Sequence, residues 1–109
     1  MKTAILYTRE MEGEQLEAQL DACRQYAEAQ GWVPAATVID LKTPGPAYRL
    51  GLRGVLDMVG AGDVPVVVAL SAAHLSKDPV RLQALEETLR EKNCELHYAL
   101  NGQGTSPQR

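Results

Sequence analysis

The sequence predicts an α/β domain, a four-stranded and mostly parallel sheet flanked by helices in a three-layer sandwich. Three features carry the expectation. Strand-type and helix-type hydrophobic patterns alternate along the chain, the order that produces parallel sheets with helices on both faces. Breaks rich in Gly and Pro separate the patterns. The stretch from Val64 to Leu70 is apolar without alternation and rich in Val, as suits a strand buried on both faces of a parallel sheet.

The elements follow in order. Thr3 to Tyr7 is a short apolar run that reads as the first strand. Glu14 to Gln30 reads as a helix. Leu16, Leu20, Cys23 and Ala27 share one face at helical spacing, while Glu17, Asp21, Arg24 and Glu28 face water. Gly31 stands where a C-terminal cap is expected. Val33 to Asp40 is the second strand, with Trp32 at its entrance. Thr43-Pro44-Gly45-Pro46 places a loop within Leu41 to Ala47. Tyr48 to Gly60 is the second helix, with Leu52, Leu56 and Val59 inward, and Gly60 to Asp63 breaks it. The Val64 to Leu70 strand leads into a polar loop, Ser71 to Asp78. Pro79 suits the first position of a third helix, with Val80, Leu82, Leu85 and Leu89 on its buried side. Asn93 ends that helix, and Glu95 to Leu100 is the fourth strand. The domain is expected to span residues 1–100, and Asn101 to Arg109, made of small and polar residues, to form a flexible tail.

Composition narrows the function. A chain of 109 residues, 45% hydrophobic and 23% charged, is sized for one domain with a real core, built without any Phe. The net charge is −3, and Lys and Arg are scattered. A domain that grips DNA alone usually carries a basic stripe, because phosphate neutralisation dominates affinity. DNA binding by this domain alone is therefore expected to be weak or absent. The longest apolar run is far too short to span a membrane, and the N-terminus lacks a signal-peptide pattern, so a cytoplasmic protein is expected, with no membrane partner. Cys23 and Cys94 lie far apart in sequence and read as reduced, packed thiols. His74 and His97 have no Cys or carboxylate at metal-ligand spacing, and no Gly-rich turn joins the first strand to its helix. No metal or other cofactor is expected. A phosphoacceptor domain of similar architecture would want an Asp at the end of the third strand, where this chain has Leu70-Ser71.

In open parallel sheets, function gathers in the loops after the strands' carboxyl ends. Here these are Thr8 to Gly13, Leu41 to Ala47 and Ser71 to Asp78. The first begins Tyr7-Thr8-Arg9 and runs on to Gln15 and a helix carrying Gln19. Asp40 closes the second strand, Arg49-Leu50-Gly51-Leu52 opens the second helix, and Leu75-Ser76-Lys77-Asp78 lies in the third loop. In this order the motifs resemble the N-terminal catalytic domain of resolvase/invertase-type serine recombinases, over about residues 3 to 100. The resemblance implies that family's three-layer catalytic fold and an ancestry in site-specific DNA recombination. It also implies a phosphate site to which Arg9, Gln15 and Arg49 correspond, with Ser76 and Asp78 as further loop matches.

The departures are as informative. The family's nucleophilic Ser falls on Met11, the Asp-Arg pair of the third loop falls on Ala73-His74, and its second Arg becomes Lys77. Attack on a phosphodiester needs a hydroxyl and several cations on the phosphate oxygens. A Met thioether has no proton to lose and forms no stable phosphoester. Lys77 keeps a charge but not the guanidinium fork that meets two oxygens at once. No catalytic residue is assigned: the resemblance puts Met11 at the nucleophile position and implies that Arg9, Gln15, Arg49 and Lys77 are remnants of a phosphate site. Arg9 and Arg49 read equally well as surface arginines paired with Glu10, Glu12 or Asp40. Thr8 offers a substitute hydroxyl, but neighbours on a strand face opposite ways. Ser71 and Ser76 read first as loop-capping hydroxyls.

Three functions remain. The first is a catalytically inactive recombinase-like domain acting by protein association, as a homodimer or with an intact recombinase. The second is an active recombinase domain with an altered nucleophile. The third is an unrelated α/β interaction module. The chain ends at Arg109, before the long dimerisation helix and DNA-reading domain that the family places next. A naturally short homologue and a piece of a longer protein are both compatible with that.

Overall fold

The computed structural model describes residues 2–11, 13–41, 50–62, 64–100 and 103–105. The two most apolar strands lie at the centre. β1 (Thr3–Arg9) pairs in parallel with β2 (Val33–Asp40) on one side and with β3 (Val66–Ala69) on the other. β4 (Glu95–Tyr98) follows β3, also parallel, so that Val68 faces His97 and Ala69 faces Tyr98. The sheet order is β2-β1-β3-β4-β5. The four parallel strands are those expected. The fifth, β5 (Gln103–Thr105), runs antiparallel to β4 within the stretch expected to be a tail. Its Gln-Gly-Thr sequence has no hydrophobic alternation to announce it. Pairing with the open edge of β4 provides the backbone hydrogen bonds that make it a strand.

Helices cover both faces. α1 (Leu16–Ala29) lies on the face formed by Ala4, Leu6, Val66, Val68 and Leu70, into which Cys23 and Ala27 pack. α2 (Leu50–Gly60) and α4 (Pro79–Glu91) cover the opposite face, where Tyr7, Val67, Leu96 and Tyr98 meet Val55, Val59 and Leu89. Burial of each large aliphatic side chain contributes about 1.5–3 kcal/mol. The two cysteines are free and sit on opposite faces of the sheet. Burial pushes the Cys23 thiol up to about 11 and the Cys94 thiol up to about 12, so both are protonated at neutral pH.

Three details differ from the sequence pattern. On α1, Gln19 is more deeply buried than Leu20, because its side chain turns towards polar partners at the strand ends. On α4, Val80 is 76% exposed rather than inward. It lies in the first turn, where its backbone N–H donates to the capping Asp78 (3.0 Å) before the helix has settled onto the sheet. The loop after β3 contains a single helical turn, α3 (Ala72–Leu75), which sinks His74 and Leu75 into the fold. Among the described residues no helix is long and apolar enough to cross a membrane.

Candidate functional site

The parallel strands deliver β1 and β3 to the same edge, so the loops that follow them meet. After β1 the chain turns at Met11 to Glu14, closed by the Glu14 N–H donating to the Met11 carbonyl (3.2 Å). Gly13 takes φ +81°, a left-handed conformation in which a side chain would be strained. α1 then starts after an exposed Gln15 at its N-cap and carries the buried Gln19 in its first turn. After β3, Ser71 precedes α3, whose turn places His74 beneath it, only 3% exposed.

A continuous chain of side-chain hydrogen bonds joins the two loops. The Thr8 hydroxyl donates to Gln19 Oε1 (2.8 Å), and Gln19 Nε2 donates to Glu14 Oε1. His74 Nε2 meets the same carboxylate oxygen at 2.9 Å, and Ser71 Oγ meets His74 Nδ1 at 2.8 Å. A carboxylate only accepts, so His74 Nε2 carries a proton. In the neutral imidazole Nδ1 is then an acceptor, and Ser71 donates to it. Every bond in the chain points towards Glu14.

The sequence-derived candidates fall unevenly around this chain. Arg9 ends β1 and is half-buried, Met11 is half-buried in the turn, and Gln15 and Lys77 are exposed. Arg49 lies outside the described residues. Thr8 is fully buried and committed to Gln19, the opposite of what an attacking hydroxyl needs. Ser76 and Asp78 are capping residues. The Asp78 N–H donates to Ser76 Oγ (3.1 Å), and Asp78 Oδ1 accepts from the Val80 N–H at the start of α4. Glu14, Gln19, Ser71 and His74 are the residues brought together, and sequence reasoning gave none of them this role. The sequence signal was only that Glu14 and Gln19 flank the first helical turn and that Ser71 and His74 lie three apart. Among the described residues no three His, Cys, Asp or Glu side chains gather as a metal-holding group.

On the other face of the sheet, Asp40 forms a second polar centre at the same edge. It is buried and accepts the Tyr7 hydroxyl (2.7 Å) and the backbone N–H groups of Gly51 (2.6 Å) and Leu52 (2.9 Å). Its carboxylate thus caps α2, satisfying amides that have no partner within the helix. A Cβ on residue 51 would lie 2.6 Å from Asp40 Oδ1 and 2.8 Å from Val38 Cγ1, which accounts for the Gly in Arg49-Leu50-Gly51-Leu52. An open groove of about 280 Å³ runs beside the first centre, lined by Glu14, Gln19, Ala18, Ala22, Leu70 and Leu100.

Helices on both faces of a sheet whose four main strands run parallel, with polar centres at its carboxyl edge, make this a three-layer α/β domain. The family model for the resolvase N-terminal domain matches residues 4–109, and the chain belongs to that family. Solved structures agree on the fold. The N-terminal catalytic domain of TP901-1 integrase superposes with a TM-score of 0.80 at 21% identity, over 95% of this chain and 82% of that one. A resolvase family site-specific recombinase from Streptococcus pneumoniae gives 0.85 at 17% identity, over 96% and 76%. The C-terminal catalytic domain of ISC1926 TnpA, an IS607-like serine recombinase, gives 0.76 at 22%, over 89% and 67%. No curated protein sequence matches the chain.

Proposed function

We propose that this resolvase-family domain has lost recombination chemistry and acts by protein association, with a second copy of itself or with an intact recombinase. The observation that carries the reading is the position of Glu14. Its carboxylate lies in the strand-end cluster, bonded to Gln19 and His74, beside the turn that holds Met11. A phosphodiester would bring its own negative charge against this anion, and like charges at close range repel. Met11 gives no hydroxyl, and His74, at the position of a family arginine, is bonded within the protein. Remnant phosphate-site roles for Arg9, Gln15, Arg49 and Lys77 belong to the same proposal, as vestiges rather than a working cluster. With the net charge of −3, the reading also implies weak DNA binding by this domain alone. We place the protein in the cytoplasm, where buried thiols such as Cys23 and Cys94 stay reduced.

The test incubates the chain, and its Met11→Ser variant, with supercoiled DNA and seeks protein-linked DNA on a denaturing gel. No adduct is expected from either protein. Sedimentation equilibrium of the chain alone, and mixed with an intact resolvase, should show a concentration-dependent complex. An adduct from the unmodified chain would overturn the loss of chemistry. A monomer that binds neither itself nor the recombinase would overturn association.

A further inference from the structure

We propose that Ser71, His74 and Glu14 form a nucleophile–base–carboxylate triad that hydrolyses small, uncharged acyl esters. The proposal goes beyond association and does not depend on it. Three observations converge. Ser71 Oγ lies 2.8 Å from His74 Nδ1, and His74 Nε2 lies 2.9 Å from Glu14 Oε1, the spacing of a hydroxyl–imidazole–carboxylate relay. The imidazole is buried and held at both nitrogens, so its ring is oriented before any substrate arrives. Ser71 is half-buried, at the less enclosed end of the relay, whereas His74 is buried.

The substrate class follows from charge and shape. The Glu14 carboxylate that disfavours a phosphodiester stabilises the imidazolium formed when His74 takes a proton, without penalising a neutral carbonyl. An open groove of about 280 Å³ lies next to the triad; of the three residues only Glu14 lines it, with Gln15 and Gln19 as polar and Ala18, Ala22, Leu70 and Leu100 as apolar lining. That wall suits a short aliphatic acyl chain. In the reaction, Ser71 Oγ bonds to the ester carbonyl carbon and the carbon–oxygen bond to the alcohol breaks. The hydroxyl proton passes to His74 Nδ1 and from there to the departing alcohol oxygen. Water, deprotonated by the same nitrogen, attacks the acyl-serine, releases the carboxylic acid and restores the Ser71 hydroxyl. Ser71 and His74 are catalytic residues in this scheme. Glu14 is a positioning residue that acts through His74, and Gln19 holds Glu14.

A neutral alkyl fluorophosphonate reports the first half of this chemistry: the Oγ–P bond forms, fluoride leaves and His74 takes the proton. Intact mass and peptide mapping of the treated protein should find one adduct, on the peptide carrying Ser71. Ser71→Ala should abolish it, and Thr88→Ala, a distant exposed hydroxyl, should leave it unchanged. His74→Ala should slow labelling on the order of 100-fold, with part of the rate returned by added imidazole. Glu14→Gln should lower the maximal labelling rate at unchanged half-saturating probe, a split that general loosening of the fold does not produce. Hydrolysis of p-nitrophenyl butyrate should fall to the uncatalysed rate in Ser71→Ala. Circular dichroism checks that each variant is folded; if His74→Ala is not, Ser71→Ala and Glu14→Gln still decide. Absence of an adduct, an adduct elsewhere, or labelling of Ser71→Ala at the unmodified rate would overturn the triad. Labelling at Ser71 without ester turnover would overturn the substrate class.

Discussion

His74 and His97 each join a hydroxyl at Nδ1 to a carboxylate at Nε2. For His74 the partners are Ser71 and Glu14, at 2.8 and 2.9 Å; for His97 they are Tyr26 and Glu95, at 2.8 and 3.2 Å. The surroundings differ. His97 stands edge-on to Trp32, with ring centroids 4.7 Å apart, and 5.7 Å from the Tyr26 ring, in an aromatic cluster between α1 and the sheet. Burial pushes the Tyr26 phenol up, and the charge of Glu95 adds to it, so this hydroxyl holds its proton. Burial alone would raise Glu95, but hydrogen bonds from Lys2 and His97 outweigh it and hold the carboxyl below its ordinary range. Glu14, in contrast, is shared between His74 and the neutral Gln19 amide, and its hydroxyl is a half-buried serine in a loop. The same order of donors and acceptors therefore fits a packed strut and a reactive relay. The other partner of the carboxylate, a Lys2 ammonium on Glu95 and the Gln19 amide on Glu14, separates the two.

The largest effect expected from testing this contrast is at Trp32. Trp32→Ala removes the ring against which both Tyr26 and His97 pack, and should cost about 2 kcal/mol, less than a fully buried Trp because Trp32 is only half-buried. Urea unfolding measures the loss. Fluorophosphonate labelling at Ser71 should stay at the unmodified rate, and a parallel fall in both would mean that the two centres are not separable. Next come the histidines themselves. His97→Ala and His74→Ala each strand a hydroxyl and a carboxylate, at about 1–2 kcal/mol. His97→Ala should be the more destabilising, since it also loses aromatic packing, yet only His74→Ala should slow labelling on the order of 100-fold.

Most of the fold was legible because it is written in local pattern. The uninterrupted Val-rich run of β3, the helical stripe of α1 and Pro79 after Asp78 each declare an element within a few residues. β5 was not, because Gln103 to Thr105 becomes a strand only by pairing with an edge that lies elsewhere in the fold. The candidate site divides the same way. The motifs around Arg9, Gln15 and Ser76 point to the strand ends where the polar cluster of Thr8, Gln19, Glu14, His74 and Ser71 lies. The bond between His74 and Glu14 was not legible, since it joins residues 60 apart through two loops that only sheet closure brings together. Gln19 is legible as a motif residue, but its burial depends on Thr8 facing it from β1. Arg49, the remaining motif cation, lies outside the described residues.

The smallest expected effect tests why Glu95 differs from Glu14. Lys2, just before β1, pairs with Glu95 at the start of β4 through a side chain that is itself about half exposed. Lys2→Met keeps much of the aliphatic stem and removes the charge, so the loss at pH 7 should be under about 1 kcal/mol. The sign of its pH dependence follows from the lowered Glu95 carboxyl. A carboxylate held below its unfolded value contributes stability that is fully present above that value and fades as pH falls through the folded one. The gap between the unmodified chain and Lys2→Met, read from urea midpoints, should therefore be widest near neutral pH and close as Glu95 is protonated. Raising the salt concentration at pH 7 should narrow it as well, because much of the pair lies near solvent. A gap that stays constant through the acid range would assign Lys2 to packing by its stem instead. Glu95 would then owe its low carboxyl to His97, and the two histidine centres would be electrostatically closer than their partners suggest.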